Sequence, residues 1–526
     1  MSTNVLIVGA GPTGLSLALS LLRNGLSARI IEKQLQFHPG ERGAAIQPRT
    51  LEVYKFLGVL PDFMEQSSPG PKNLQYYSAP DDGKPPRVAP VIEHTDDTPA
   101  RPLNNSRMLG QNRQEAILRE HILADYGCQV ELGTELRSFE QHRDYVVAHV
   151  IKTVDSKQYV DNWAFRFVGE TPPGIEVVIG DIHVLGDSIK QDHLDGWVLL
   201  RPCLVPGQNL FSFFFRGGSD LDLVKATSNR EELIKVIHDL TGRKDIDFGE
   251  LVWMSIWRPN IRMVDSFGKD RVYIAGDAAH VHSPTGGQGM NSGVQDSFNL
   301  AWKLALVQKG LAPKTLLESY SRERTPVIAA MLNKTTELFH KEFHAKLGQR
   351  EDIFRGYELR QLGVNYRGSP FVVDERHTEK DEMIDPYRSG DDGTVHAGDR
   401  APNAPSLARQ DGETTTLFDI FKPIQHIALI FPGLAGQDFV GETIKTFREY
   451  PVGIVKSVLL LPASTAGSFS DLADMTLIDS EGYAYTHYVV AQDTPTVVIV
   501  RPDGYIGALV TSGRTGIRNY FGGIIL

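Results

Sequence analysis

At 526 residues the chain is too long for one ordinary core, and usual domain sizes predict about three compact units. A hydrophobic share of 41% beside 23% charged residues is that of a soluble globular protein and excludes a disordered or membrane-embedded class. The net charge of -11 argues against nucleic acid and anionic membrane surfaces as partners, since both reward clustered Lys and Arg.

The apolar start, Val5 to Leu22, lacks the basic leader of a secretion signal and carries Gly9, Gly11, Pro12 and Gly14 inside the run. No stretch of about 20 uninterrupted apolar residues follows, so no membrane partner and a cytoplasmic location are expected. Residues 4 to 33 read as strand (VLIVGA), glycine turn, helix (LSLALSLLRNG) and second strand (SARIIEK), a right-handed βαβ unit with parallel strands. In Gly9-Ala-Gly11-Pro-Thr-Gly14 the glycines permit a tight turn and close backbone approach to a pyrophosphate, whose charge is met by the positive end of the helix. Glu32 ends the second strand, where a carboxylate can accept from ribose hydroxyls. These features point to dinucleotide binding over a purely structural turn, without separating FAD from NAD.

From about Lys72 to Pro102 the chain is rich in Pro, Asp and Ser, and Gln111 to Tyr126 returns to helical spacing. Cys128 and Cys203 are the only cysteines, far apart and without CxxC spacing, so neither a disulfide framework nor a zinc site is signalled, and no metal is expected. Between Phe165 and Trp257, EVVIGDIHV, WVLLRP and LFSFFFRGG alternate as half-buried antiparallel strands do, which predicts a second domain inserted into the first. Phe211 to Phe215, Trp253 and Trp257 read as core more readily than as substrate walls. At Arg271 a buried strand (RVYIAGD) leads into a glycine-rich loop and a helix from Ser292 to Lys309. A loop around Asp385 to Pro405 then sets off a final region with strands HIALIF, SVLLLP, MTLID and TVVIVRPDGYIGALV, expected to fold as its own unit, with Pro502-Asp-Gly504 as a turn.

The segment Arg271 to Asn291 places Asp277 at a strand end, where it can bind ribityl hydroxyls, ahead of a glycine loop and a helix start that can stabilise negative charge on a reduced flavin. With these two separated motifs the chain resembles the flavoprotein monooxygenases of the p-hydroxybenzoate and phenol hydroxylase group, including the aromatic polyketide hydroxylases. Glu41-Arg42-Gly43 and Gln111 to Arg119 look like the segments that approach the flavin in that family; read alone, Arg42 is a surface charge and Gln111 a helix start. The resemblance implies FAD, bound by Gly9, Gly11, Gly14, Glu32, Lys33, Arg42, Gln111, Gly276, Asp277, Pro284, Gly289, Met290 and Asn291. His280 and His282 are expected to pack or cap rather than act as bases, and no catalytic residue is assigned.

The implied fold is α/β: a Rossmann-type FAD-binding domain (1–72, 103–165, 262–390), an inserted, mostly antiparallel sheet domain for substrate (73–102, 166–261) and a C-terminal thioredoxin-like domain (396–526). Both cysteines lie outside that last region, which excludes thiol exchange there and leaves a structural or subunit-contact role, a homodimer among the assemblies allowed. The resemblance further implies NADPH or NADH as reductant and dioxygen, through a flavin hydroperoxide, as oxidant of a small aromatic substrate. One segment departs from the family pattern. Between Val146 and Phe167 there is Asp155-Ser156 but no Asp-Gly pair, and the text is shorter by a strand and a helical stretch. Two rivals therefore stand beside the hydroxylase: another flavin oxidoreductase of the same fold, such as an oxidase or Baeyer–Villiger enzyme, and a degenerate non-catalytic paralogue.

Overall fold

In the computed structural model, which describes residues 3–71, 73–77, 87–90, 94–153, 168–170, 176–186, 193–195, 198–216, 221–258, 260–283, 286–344, 357–377, 384–388, 393–409, 411–464 and 472–526, the chain opens with β1 (Val5–Val8), α1 (Pro12–Arg23) and β2 (Ala28–Ile31). Leu15, Ala18, Leu19 and Leu21 recur at helical spacing and give α1 a buried face. Pro12 opens the helix where its missing N–H costs nothing. β1 and β2 pair in parallel, Val5 opposite Ala28 through Val8 opposite Ile31. After α2 (Pro48–Phe56) and α3 (Gln111–Tyr126), β3 (Val130–Glu131) adds in parallel to β2, and β4 (Thr134–Gln141) and β5 (Val146–Lys152) form an antiparallel hairpin. The departure expected at Asp155-Ser156 lies outside the described residues.

The middle of the chain supplies a second sheet from β6 (Val177–Leu185), β7 (Val198–Pro202), β8 (Leu210–Arg216) and β9 (Asp247–Trp257), in the order β9-β6-β8-β7, with shorter strands continuing beyond β7. These four pair antiparallel, so side chains alternate between two faces. One face buries Val178, Ile182, Phe211, Phe213 and Phe215 under α4 (Arg230–Thr241), which contributes Leu233 and Ile237. On the other face, register places Ile179, Phe214 and Leu199 in one row and Trp253, Asp181, Ser212 and Arg201 in the next.

The return segment differs from expectation. Rather than a full buried strand over RVYIAGD, only Val272–Tyr273 pairs, with Gly268–Lys269 in a short hairpin, so β1 has a strand partner on one side only among the described residues. α5 (Gly289–Gln308) starts three residues before the predicted helix and is buried along most of its length, and α6 (Glu318–His344) follows. α5 lies against α1 through Thr13: a Cβ at Gly293 or Gly276 would stand 2.3 or 2.6 Å from Thr13 Oγ1, and Ser297 Oγ donates to Thr13 O at 2.7 Å. Glycine at both positions therefore lets the distant segment close onto the βαβ unit.

The final region contains β10 (Val373–Asp374), β11 (His426–Phe431), α7 (Gly436–Phe447), β12 (Val455–Pro462), β13 (Met475–Asp479), β14 (Thr496–Val500), β15 (Ile506–Val510) and α8 (Arg514–Ile524). Strand order is β10-β15-β14-β11-β12-β13, extended past β13 by Leu407–Ala408 and Thr414–Thr415. β11, β12 and β13 are mutually parallel, whereas β14 runs antiparallel to β11 and β15. α7 and α8 cover one face through Val440, Ile444, Ile517 and Phe521. The other face corrects the expectation of a separate unit: Leu429, Val498 and Val500 belong to the same apolar core as Phe56, Phe298 and Leu15. Within the loop that sets this region off, Ala397, Asp399, Arg400, Ala401 and Ala404 are buried. No helix among the described residues is long and apolar enough to cross a membrane.

Charge crosses this shared core. Glu323 on α6 accepts from both Arg501 terminal nitrogens (2.9 Å each), from Lys303 Nζ and Asn299 Nδ2 (2.7 Å each) and from Ser369 Oγ (2.7 Å), with Arg501, Lys303 and Glu323 at most 1% exposed. Arg501 also pairs with Asp503 in the predicted turn, and Arg400 pairs with Glu52 of α2 at 2.9 Å. Burial alone would raise the Glu323 carboxyl; Arg501 and Lys303 outweigh it and hold it well below the carboxylate range. Glu323→Ala leaves Arg501 and Lys303 buried without this partner and is expected to cost about 3–5 kcal/mol. Denaturant unfolding measures it, and a loss under about 1 kcal/mol would show that the C-terminal region does not depend on this contact.

Candidate functional site

A cavity of about 2010 Å³ runs from the first glycine turn to the open face of the middle sheet. At its near end Gly9 has φ +105°, and no atom lies within 4 Å of where its Cβ would stand; at Gly11 the nearest is 4.0 Å away. Gly14 is the reverse case, its Cβ position lying 2.1 Å from Gly9 O, so the helix meets the turn only through glycine. Side chains are thus excluded by space on one side and absent from the cavity on the other. Glu32 fixes the turn by accepting the Ala10 N–H at 3.1 Å and the Gln34 N–H at 3.0 Å. Neither Gly11 before α1 nor Gln288 before α5 makes a side-chain cap, and both helix starts line the cavity, where first-turn N–H groups can meet a charged ligand. A dinucleotide with a pyrophosphate fits this cradle.

Asp277 opens onto the same cavity, and the surrounding protein raises its carboxyl by burial against the opposing pull of His280 and Arg42. The loop carrying it is held from below by Asp296, whose Oδ2 accepts the Gly276 N–H (3.0 Å) and faces His280 Nε2 (2.8 Å), while Oδ1 accepts from Arg324 Nε at 2.7 Å. Arg324 reaches Tyr366 Oη and Ser292 O as well. Burial by itself would raise Asp296; Arg324, then His280 and the Gly276 N–H, overcome it and lower it to about 2. His280 is fully buried, as a packing residue should be. His282 lines the cavity beside Gly289, with burial foremost and His280 next pushing it down to about 4, so its imidazole is neutral at physiological pH.

The far end of the cavity is bounded by Ile179, Leu199, Phe214, Trp253 and Trp257 and carries a polar corner of His38, Glu41, Asp181, Arg201 and Ser212. Asp181 organises that corner: it accepts the Glu41 N–H (2.6 Å), the Trp253 indole N–H and the Ser212 hydroxyl. A Cβ at Gly40 would fall 1.7 Å from Trp253 Nε1, so glycine lets the loop of residues 38–43 seat on the sheet. His38 stands edge-on to Trp253, ring centroids 4.9 Å apart, and accepts the Gly40 N–H on Nδ1 at 3.0 Å. Burial, then Arg42, lowers its pKa, so at neutral pH the ring is neutral with its proton on Nε2.

Of the predicted cofactor residues, Gly9, Gly11, Gly14, Arg42, Gln111, Asp277, Gly289 and Met290 line the cavity, and Pro284 lies outside the described residues. Glu32, Lys33, Gly276 and Asn291 are not in the lining. Asn291 is fully buried with its amide engaged by protein: Nδ2 donates to Ala45 O and Gly287 O, and Oδ1 accepts the Gln47 N–H. It is therefore a staple between two cavity loops, because the first turn of α5 faces the 45–47 segment. Gly276 likewise serves spacing against Thr13. Gln111 donates to Glu115, which burial raises and which approaches Gly11. Sequence reasoning missed His38, Asp181 and Glu115; the available signal was an acid within the apolar alternation of EVVIGDIHV. Phe211 and Phe215 are core as expected, whereas Phe214, Trp253 and Trp257, expected in the core, are walls.

Comparison with known proteins agrees with this geometry. A family described as FAD binding domain matches residues 2–161 and 171–335, and one described as phenol hydroxylase, C-terminal dimerisation domain matches residues 466–526. The chain is 32% identical to a flavin-dependent monooxygenase of Mycobacteroides abscessus over 97% of this chain and 98% of that protein. It is 27% identical to pentachlorophenol 4-monooxygenase of Sphingobium chlorophenolicum over 96% and 93%. Its fold matches the flavin-dependent monooxygenase PieE, solved with FAD and substrate, at a TM-score of 0.78 and 20% identity, and aklavinone-11 hydroxylase with FAD and aklavinone at 0.75 and 22%, each over 99% of both chains.

Because its pKa in the fold is below the ordinary aspartate value of about 3.9, Asp296 contributes stability that is fully present above about pH 4 and lost as pH falls through about 2. Asp296→Asn is expected to lower FAD retention through gel filtration and to flatten the acid limb of thermal stability in that window; wild-type behaviour in both assays would refute the role.

Proposed function

The chain belongs to the flavin-dependent aromatic hydroxylases, and from that membership we propose how its own residues divide the work. It is an FAD-dependent monooxygenase using NAD(P)H, and its substrate is a phenolic or polyketide-type aromatic ring. FAD, when bound, would supply the redox chemistry between NAD(P)H and dioxygen. The single observation that carries the reading is one cavity joining a glycine cradle to an apolar chamber with a polar corner.

The turn through Gly9, Gly11 and Gly14 and the start of α1 are assigned the pyrophosphate, and Glu32, followed by the exposed Lys33, the adenosine ribose. Asp277 is assigned the ribityl hydroxyls, with Arg42, Gln111, Gly289 and Met290 around the flavin; Gly276 and Asn291 position these loops. In the chamber, Leu199, Phe214 and Trp257 take the faces of the aromatic ring and exclude water. His38 offers Nε2–H to an oxygen substituent of that ring, stabilising phenolate character, and Arg201 adds positive charge to the same corner. Asp181 acts through Trp253 and the 38–43 loop to keep His38 in place.

Residues 1–72, 103–165 and 262–390 are assigned to the FAD-binding domain, except for β10, which pairs with β15 of the C-terminal sheet, and 73–102 and 166–261 to the substrate domain. The sheet order β15-β14-β11-β12 flanked by α7 and α8 supports a thioredoxin-like reading of 396–526, a region without cysteine. The dimerisation-domain match supports a homodimer as the working assembly.

The test is the visible spectrum of the purified protein, taken anaerobically before and after NADPH with a panel of phenols. Bound flavin that bleaches faster with one phenol, followed by a hydroxylated product in air, is expected; no flavin after reconstitution would end the reading. His38→Leu should keep its flavin and lose about 10–100-fold in kcat/KM, the worth of one hydrogen bond to a charged group.

A further inference from the structure

Between α6 and the C-terminal sheet, three side chains converge that the reaction does not use. Asp374 ends β10, His377 follows three residues later, and His396 returns to the same point from the far end of the connecting segment. Asp374 Oδ2 is 3.3 Å from His377 Nδ1 and 3.9 Å from His396 Nδ1, and one ligand atom from each residue lies within 4.8 Å of the others. A tetrahedral zinc with bonds of about 2.0–2.1 Å holds its ligand atoms roughly 3.4 Å apart. The two separations from the carboxylate, 3.3 and 3.9 Å, bracket that spacing, and the ligand nitrogens of the two imidazoles stand within 4.8 Å of each other.

We propose that Asp374, His377 and His396 bind one borderline divalent cation, of which zinc is the representative, with a fourth position open to water. The donor set is the chemistry such an ion selects, two imidazoles and a carboxylate. Its parts are held in advance. Backbone N–H groups of Arg376 and His377 donate to Asp374 Oδ1 (3.0 Å each) and that of Ala397 to Oδ2 (2.8 Å), which fixes the carboxylate. Thr394 Oγ1 lies 3.1 Å from His396 Nε2 and can accept its proton, leaving Nδ1 as the nitrogen facing Asp374. The nearby guanidinium of Arg376 is turned away, donating to Tyr488 O and Val489 O, so it does not occupy the position of the ion.

None of the three residues lines the cavity, so the ion is structural. It ties β10 to the segment beginning at Ala397, where the Gly398 N–H bonds Ile506 O at 2.6 Å and Arg400 reaches Glu52 of α2. Binding therefore stabilises the connection on which the C-terminal region hangs.

The experiment uses the full-length holoprotein, free of any affinity tag and stripped with a chelating resin, titrated with zinc chloride by calorimetry and weighed for metal after gel filtration. One zinc per chain and a raised melting temperature are expected. Both should be lost in His377→Ala and in His396→Ala, and flavin content should match wild type. Asp374→Asn guards against misfolding of the histidine variants, and it should bind more weakly while remaining folded by circular dichroism. Zinc uptake by wild type no greater than by the double histidine variant overturns the proposal.

Discussion

Glu323 and Arg324 are neighbours on one helix, and the fold is organised by the fact that their charges are buried in different directions. Successive helical residues diverge by about 100°. Glu323 is thereby delivered to Arg501 of the C-terminal sheet, and Arg324 to Asp296 under the Asp277 loop. A buried ion without its partner costs several kcal/mol, so neither contact can be given up cheaply. The helix pair formed by α5 and α6 is thus the common support of the cofactor loop and of the final domain, and a disturbance of either reaches the other through two adjacent residues.

The site itself is assembled from two periodicities. In the middle sheet the two-residue alternation sends Ile179, Asp181, Arg201, Ser212, Phe214 and Trp253 to one face, which walls the far end of the cavity with strand residues. At the other end, helix starts deliver backbone N–H groups where glycine leaves room for a pyrophosphate. What joins the two is the 38–43 segment, pinned by the Asp181 carboxylate and the Trp253 ring, and it brings His38 and Arg42 into the wall of the cavity.

The sequence made the local parts of this arrangement legible. Gly9 to Gly14, the paired βαβ strands and the alternating middle strands are dictated by neighbours within a few residues, whereas Asp277, expected at a strand end, reaches the cavity from a short 3-10 turn, Gly276–Ala278. What stayed hidden depends on partners far along the chain. Arg501-Pro-Asp-Gly reads as turn chemistry, and only the fold reveals that its arginine neutralises an acid 178 positions earlier. Asn291 reads as a cofactor contact because the first turn of its helix faces the cavity, yet its own side chain turns back to Ala45. The strand expected at RVYIAGD is realised only as the short Val272–Tyr273 pairing, because strand propensity does not specify what lies beside it.

The reach of the Glu323 contact also bears on the order in which the protein is made. Domains of a nascent chain generally fold as units from the N-terminus while synthesis continues. Here the carboxylate of Glu323 and the ammonium of Lys303 cannot be buried together with their guanidinium until Arg501, 178 positions after Glu323, has been synthesised and has joined them. The first βαβ unit and the Arg324–Asp296 contact beneath the Asp277 loop can form before Arg501 is present, but the Glu323 side of the same helix is completed only with it. A chain in which Arg501 has not yet docked keeps the Lys303–Glu323 pair but leaves the core face of the C-terminal sheet uncovered, a state open to proteolysis.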